Sequence, residues 1–512
     1  MQGFKKSAFR VLRFKIQIVM KTMIRLLTIA AAMSAAVISC AISSDDLNPS
    51  FFGEANYGSP DELGSGGDRF DKVAENPFVK TKDQNVSTFS VDADGASYAI
   101  MRKYVGMEWP VSSASVRVEE FLNYFTFDYP DPTGTDMVRI NAETGPCPWN
   151  GEHRLLRLGL KGKSLADDEL PTANFVFLVD VSGSMYSKDK LELLKTSLTM
   201  MLDYLRPEDR ISIVTYSGSV RKVLESTPVN ESGKIKGAIA ELNASGSTAG
   251  GKALEMAYEE ALANYIQGGN NRVILGTDGD FNVGVTDSDE LASMVEEYAG
   301  KGIYLTVCGF GSGNLNDAMM KKLSVKGNGT YQYIDSEEEM AKVFVQERSK
   351  FVAVANDTKV QVTFDPEKIE SYRLIGYERR VMDNEDFEDN TKDAGEIGAG
   401  QTITALYEIV PAEGYKDGAV CGKFDCRYKK SLLDSESQAL SVELTASEGK
   451  MSPELSFASG VTAYGLVLLN SEYKGEASLD MASELVKAGL TFDPNGYRAE
   501  LLELISKVKV EK

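Results

Sequence analysis

The stretch Phe175-Val-Phe-Leu-Val-Asp180-Val-Ser182-Gly-Ser184 decides the fold. Its five apolar residues, with no polar alternation, predict a strand that is buried on both faces, as strands of parallel sheets are. The strand ends at an acid and two serines, and from 187 to 205 leucines and methionines recur at helical spacing. Ligands of open parallel sheets bind at the carboxyl ends of strands, where Asp180, Ser182 and Ser184 would converge. These side chains offer only oxygen atoms, so the pattern indicates a hard cation such as Mg²⁺ or Mn²⁺.

Two later stretches again place oxygen-bearing side chains where a strand ends or a helix begins. Gly246-Ser-Thr248-Ala-Gly-Gly251 opens a helix, and Arg272-Val-Ile-Leu-Gly-Thr277-Asp278-Gly-Asp280 runs from a short apolar strand into an acidic turn. On its own, D-x-S-x-S is more typical of a capped helix start than of a metal site. With all three pieces in this order, a metal site becomes the favoured interpretation.

This order of motifs resembles the metal-ion-dependent adhesion site of von Willebrand factor type A (VWA) domains. The resemblance implies that Ser182, Ser184 and Thr248 offer hydroxyls to Mg²⁺ or Mn²⁺. It also implies that Asp180 and Asp278 act on the ion directly or through water. Mg²⁺ takes six oxygens in near-octahedral geometry, so we expect an Asp or Glu carboxylate of a protein partner to fill the remaining position.

The whole chain predicts an α/β fold in which a doubly wound parallel-sheet VWA domain is inserted into, or flanked by, a β-sandwich with extra helices. Strand and helix patterns alternate within the VWA range, whereas the flanking strands are half-buried and antiparallel in pattern. The late loops of the VWA range resemble those of one bacterial VWA subfamily, the YfbK-type lipoproteins, and the flanking regions share this resemblance. The expected ranges are a signal peptide (1–39), a lipidated cysteine and tether (40–75), a small α/β module (76–132), sandwich strands (133–170), the VWA domain (171–350), further sandwich strands (351–450) and a helical region (451–512).

The amino-terminal segment predicts export and anchoring. Lys21 and Arg25 precede the apolar stretch 26–38, which is too short to span a bilayer and is typical of a signal peptide. The small residues before Cys40 resemble a bacterial lipobox, which implies a lipidated Cys40, a membrane anchor and a place in the cell envelope, which we expect to be the outer membrane. Acidic residues soon after Cys40, at Asp45 and Asp46, resemble the surface-export signal of lipoproteins in some Gram-negative lineages, and a solvated linker is the alternative interpretation. An ordinary secretory signal with a chance cysteine is the alternative.

Composition excludes several classes of function. The 512 residues are 43% hydrophobic and 26% charged, with a net charge of −21, so we expect two or three globular domains and no nucleic-acid partner. The glycines at 309–313 do not match G-x-G-x-x-G, and no Lys-Ser/Thr follows, which argues against a nucleotide site. His153 is the single histidine and no cysteine cluster accompanies it, which excludes most zinc sites.

Two minor features leave alternatives open. Cys421 and Cys426 either form a disulfide outside the cytoplasm or stay reduced. The acidic loop 384–393 is interpreted as a solvated turn and not as a cation site.

These observations predict a binding protein and not an enzyme. An enzyme would need a general base and a cationic clamp near the motif, and Lys188 and Lys252 are equally well explained as helix-surface residues. The alternatives are a metal-assisted hydrolase and a structural envelope lipoprotein with a vestigial site.

Overall fold

The computed structural model describes residues 68–70, 74–91, 94–246, 251–279, 288–432 and 434–510. All of them belong to the larger of two compact units, 60–512. The predicted signal peptide, Cys40, most of the tether and Thr248 lie outside the described residues. None of the helices in these ranges has both the length and the hydrophobicity to cross a bilayer.

The strands of the described ranges follow one another in two blocks of antiparallel pairing that flank one block of parallel pairing. In chain order they are β1 (Val79–Lys80), β2 (Val86–Ser90), β3 (Val138–Pro146), β4 (Arg154–Gly162), β5 (Ala173–Asp180), β6 (Arg210–Tyr216), β7 (Val220–Pro228), β8 (Asn270–Thr277), β9 (Ile303–Phe310), β10 (Tyr331–Ile334), β11 (Ala353–Phe364), β12 (Ile369–Ile375), β13 (Val381–Met382), β14 (Gly395–Gly398), β15 (Thr402–Pro411), β16 (Val420–Lys429) and β17 (Gln438–Thr445).

The α-helices lie before, within and after the parallel block. They are α1 (Ala96–Gly106), α2 (Val118–Asn123), α3 (Leu193–Leu202), α4 (Ser232–Ala240), α5 (Gly251–Ala263), α6 (Ser288–Ala299), α7 (Asp317–Lys326), α8 (Glu337–Ala341), α9 (Pro453–Leu469), α10 (Leu479–Ala488) and α11 (Tyr497–Lys507).

The parallel-sheet unit (173–351) has the strand order β10-β9-β8-β5-β6-β7, in which only β7 runs antiparallel to its neighbour. Strand β5 is central and buried along its whole length. Val176 and Leu178 on one face share a core with α5 and α6, whereas Phe177 and Val179 on the other share a core with α3 and α4. The sheet is therefore covered by helices on both faces, which confirms the predicted doubly wound fold class.

Two antiparallel sheets surround this unit in the sequence. Their strand orders are β1-β12-β15-β4-β3 and β13-β2-β11-β16-β17, with β14 added beside β11. They share one apolar core, to which Leu158 and Tyr407 contribute from the first sheet and Val362 and Phe424 from the second. Because the chain leaves this sandwich after β4 and returns at β11, the parallel-sheet unit is an insertion in it.

The expectation of a separate small module at 76–132 is wrong. Strand β2 is part of the sandwich, where Phe89 is paired with Val360 of β11. Helix α2 and the turn after it pack against α9, with ring centroids 6.1 Å apart for Phe121 and Tyr464 and 4.9 Å apart for Phe125 and Phe457. The physical reason is that two short strands and two helices bury too little apolar surface to be stable alone.

The possible disulfide between Cys421 and Cys426 is also wrong. Both thiols are free and buried in the sandwich. They lie on the same extended strand, β16, where five residues span about 16 Å, whereas a disulfide joins Cα atoms about 4.4–6.8 Å apart.

The free thiols predict a simple chemical behaviour. We expect the mass of the folded protein to stay unchanged on reduction. We also expect Cys421 to react with Ellman's reagent only after unfolding, because burial raises its thiol pKa to about 11. A gain in mass on reduction, measured by intact-mass spectrometry, would contradict this assignment.

Candidate functional site

The two predicted acidic ligands lie side by side at the carboxyl edge of the parallel sheet. Asp180 is the last residue of β5, and Asp278 directly follows β8. These strands are parallel neighbours, and the chain order reverses between them, because β5 pairs with β6 on one side and with β8 on the other. Such a switch point is where open α/β sheets bind ligands. Both carboxylates are buried.

The serine loop brings its hydroxyls to the same place. The Ser182 and Ser184 Oγ atoms are 2.9 Å apart. Asp180 Oδ1 accepts the Ser182 backbone N–H at 2.8 Å, and its Oδ2 accepts the Thr277 hydroxyl at 3.2 Å. Ser182 is buried and Ser184 is exposed, so the site opens to solvent on the Ser184 side.

The fifth predicted ligand, Thr248, lies outside the described residues. The chain just before it does reach the serine loop, because the Gly183 N–H donates to the Gly246 carbonyl at 3.0 Å. Four of the five predicted residues are thus brought together in the described part of the chain.

A buried lysine that the sequence analysis did not single out binds Asp278. Lys190 Nζ donates to Asp278 Oδ2 at 2.9 Å and to Asn314 Oδ1 at 3.3 Å. Lys190 lies in a π-helical turn, Lys188–Glu192, just before α3. Lys188 and Lys252, the lysines that lie near the motifs in the sequence, are both exposed.

The two carboxyl groups are in different electrostatic states. Burial raises the pKa of Asp180 to about 6. Burial acts on Asp278 in the same direction, but the Lys190 ammonium and hydrogen bonds from Asn314, Lys190 and Ser184 outweigh it and hold its pKa below the usual value. Opposite charge close to a carboxylate has this effect.

Gly279 allows a second loop to close over the acid. Its φ is +103°, in the region that glycine favours, and a Cβ there would lie 2.7 Å from the Asn316 backbone nitrogen. The segment after β9, which carries Asn314, therefore packs directly against the turn that follows Asp278.

The residues present fit a divalent cation. Two carboxylates and two hydroxyls form a set of hard oxygen donors, and the Lys190 ammonium shows that Asp278 stabilises positive charge. The acids would balance a double charge, and the hydroxyls would act as neutral donors.

A second acidic cluster is explained without a metal. Asp393, from the loop interpreted as a solvated turn, lies with Asp357 and Glu396 so that one ligand atom of each falls within 4.8 Å of the others. Burial and the charge of Asp357 raise the pKa of Asp393 to about 6. Lys429 Nζ lies 2.6 Å from Asp357 Oδ2 and already neutralises that acid.

Two other charged features lie away from the four converging residues. A cavity of about 220 Å³ is lined by groups of both signs, among which Lys321 is paired with Glu120 at 2.5 Å. His153 belongs to the sandwich, where its Nδ1 lies 2.5 Å from Glu408 Oε1. The acids that line the cavity lie among several lysines and arginines, and His153 has a single carboxylate beside it, so neither feature is a set of oxygen ligands free of competing cations.

Comparisons with known proteins agree with this architecture. The family model described as von Willebrand factor type A domain matches residues 174–346, the model for the carboxyl-terminal part of the uncharacterized protein YfbK matches 349–510, and a further von Willebrand factor model matches 65–157. The uncharacterized protein YfbK of Escherichia coli K12 is 36% identical over 461 residues, which cover 85% of this chain and 80% of that protein. The chain belongs to the YfbK family. In this YfbK-family protein the parallel-sheet unit is the VWA domain, a type of domain that commonly mediates protein–protein interaction.

More distant similarities are confined to the fold or to part of the chain. Human inter-alpha-trypsin inhibitor heavy chain H4 is 30% identical over 204 residues, which are 38% of this chain and 21% of that protein. A von Willebrand factor type A structure from Catenulispora acidiphila has a TM-score of 0.42 and 17% identity, and the match covers 76% of this chain and 99% of that one.

Proposed function

We propose that this YfbK-family protein is an envelope lipoprotein, anchored through Cys40, that binds a protein partner through a Mg²⁺- or Mn²⁺-dependent adhesion site. The observation that carries the proposal is the convergence of Asp180, Ser182, Ser184 and Asp278 at the switch point of the sheet. We include Thr248 as the fifth ligand. The membership of a VWA domain family supports a binding role.

The donor set explains why a partner would complete the site. Asp180 and Asp278 balance the double charge of the ion without excess, while the hydroxyls are weak neutral donors. A metal held in this way would supply electrophilicity at an open position, for which a carboxylate of the partner would be the matching ligand. The exposed side at Ser184 gives that carboxylate access.

An exposed aromatic residue beside the opening supports protein binding. Tyr186 follows Ser184 by two residues, and 84% of its surface is exposed. Tyrosine is enriched among the residues that contribute most to protein interfaces. A large side chain left in solvent at the edge of the site is therefore well placed to contact a partner.

The first test is titration calorimetry of Mg²⁺ and Mn²⁺ on the chain without its first 40 residues. We expect saturable one-site binding by the wild type and a loss of at least about 100-fold in Asp278→Asn. Even the loss of an outer-shell partner costs about 10–100-fold in metal affinity. Asp203→Asn, which removes an exposed acid at the end of α3, is the matched control and should bind normally.

The same proteins separate the alternatives. No binding by the wild type would contradict the proposal and favour a vestigial site. Hydrolysis of p-nitrophenyl phosphate that depends on Mg²⁺ and is lost in Asp278→Asn would favour a metal-assisted hydrolase. Capture of a partner that is released by EDTA would support the adhesion function.

A further inference from the structure

Lys190 is held beside Asp278 in a site built for its side chain. Its Nζ donates to the carboxylate at 2.9 Å, and only 11% of the lysine side chain and none of the aspartate side chain is exposed. Asn314 provides a second oxygen at 3.3 Å. This is a buried, doubly hydrogen-bonded ammonium and not a surface ion pair, so leaving either charge without its partner costs far more than breaking an exposed pair would.

The aliphatic part of Lys190 depends on a glycine. Gly311 has φ +71°, and a Cβ at this position would lie 2.7 Å from Lys190 Cγ. The missing side chain makes the room in which the lysine stem lies. The Gly311 carbonyl in turn accepts the hydroxyl of Tyr333, which fixes the position of this loop.

We propose that the Lys190 ammonium competes with the divalent cation for Asp278, so that the metal binds only when Lys190 releases this carboxylate. The inference rests on the proposed function and names a regulation of the same site. With Lys190 in place, the two acids and the lysine leave one negative charge. Adding a divalent ion without moving the lysine would leave one buried positive charge, which is strongly unfavourable, whereas releasing the lysine makes the site neutral.

The turn that carries Lys190 is also tied to the helix before the VWA domain. Asp189, the preceding residue, lies 3.1 Å from Lys103 of α1. The Lys103 Nζ faces the ring of Tyr333 at 5.5 Å from its centroid, and Tyr333 bonds the loop that receives Lys190. Release of Lys190 therefore acts on a turn that contacts α1, which links metal occupancy to a contact outside the VWA domain.

The first experiment measures Mn²⁺ affinity by calorimetry in Lys190→Met and in Lys188→Met. Methionine keeps much of the length of the stem and removes the charge. Lys188 lies in the same π-helical turn and is exposed, so its variant controls for the loss of one nearby positive charge. We expect Lys190→Met to bind Mn²⁺ at least about tenfold more tightly than the wild type. The wild type must break a charge-assisted hydrogen bond between Lys190 and Asp278 when the metal binds, and one such bond corresponds to about this ratio. Lys188→Met should change the affinity by less than about twofold, because an exposed charge is screened.

The second experiment uses the wild-type protein, so its result does not depend on whether a variant folds. Lysine acetylation by an N-hydroxysuccinimide ester is followed residue by residue by mass spectrometry, with and without Mn²⁺. We expect Lys190 to be labelled more slowly than Lys188 without metal and several times faster once Mn²⁺ is added. Labelling of Lys188 is the internal reference and should not change.

The outcomes separate this inference from the proposed function. Equal Mn²⁺ affinity of Lys190→Met and wild type, or no gain in Lys190 labelling when Mn²⁺ binds, would overturn the inference and leave the adhesion site intact. Absence of Mn²⁺ binding by a folded Lys190→Met variant would overturn both. If that variant does not fold, as judged by circular dichroism, the change in Lys190 labelling of the wild type on addition of Mn²⁺ tests the inference alone.

Discussion

The Asp180→Asn variant is expected to be more stable than the wild type at pH 8 in EDTA, with a free energy of unfolding about 2–3 kcal/mol larger. Asp180 is buried, and burial raises its pKa from 3.8 to about 6. The pKa of Asp180 is higher in the folded chain than in the unfolded chain. The free energy of unfolding of the wild type therefore falls as pH rises from about 4 to about 6, and it stays at the lower value at higher pH. A neutral Asn avoids this cost, and its amide oxygen can still accept the Ser182 N–H.

The sign of the effect makes the prediction testable by thermal unfolding. The gain of Asp180→Asn should disappear at pH 4, where the wild-type acid is protonated in the folded chain. Saturating Mg²⁺ should stabilise the wild type and not the variant, because a ligand that binds only the folded state adds to its stability. Asp203→Asn is again the control. A variant less stable than the wild type at pH 8 would contradict the assignment of Asp180 as a buried acid that destabilises the metal-free fold.

The position of the site could be predicted because it depends on local pattern and one topological rule. Five apolar residues before Asp180 are enough to define a strand that is buried on both faces. The next acid, Asp278, also follows an apolar strand, and parallel strands end at one edge of the sheet. The structure places both carboxylates there, next to the hydroxyls of Ser182 and Ser184.

Lys190 could not be predicted because its role depends on distant segments. Its partners come from the turn after β8 and the loop after β9, 88 and 124 residues further along the chain. The π-helical turn that carries it places the side chain in a way that a regular helical period does not describe. From the sequence alone it is one more charged residue at the start of an amphipathic helix.

The pairing of segment 76–132 with the sandwich could not be predicted for the same physical reason. Strand β2 pairs with β11 across more than 260 residues, and no local pattern carries such a pairing. The free cysteines are different, because a strand over Val420–Lys429 would have excluded their disulfide by length alone. The mixed polarity of this stretch hides the strand from a sequence pattern.

The Arg102→Met variant is expected to lower the free energy of unfolding by about 3–5 kcal/mol, the usual cost of breaking a buried ion pair. Arg102 of α1 forms two hydrogen bonds with Asp335, at 2.5 and 2.9 Å, and one with Glu339 at 2.7 Å. Tyr124 completes the network by donating to Glu339 at 2.7 Å. The variant would leave the buried carboxylates of Asp335 and Glu339 without their cation. Neither carboxylate can be hydrated unless α1 separates from the VWA domain.

Urea unfolding followed by circular dichroism checks this result against Arg139→Met, which removes an arginine from the exposed surface of β3. The control should stay within about 0.5 kcal/mol of the wild type. An Arg102→Met variant as stable as the control would mean that α1 is held to the VWA domain by its apolar contacts alone. The contact of Asp189 with α1 would then transmit little of any movement of Lys190 to the rest of the protein.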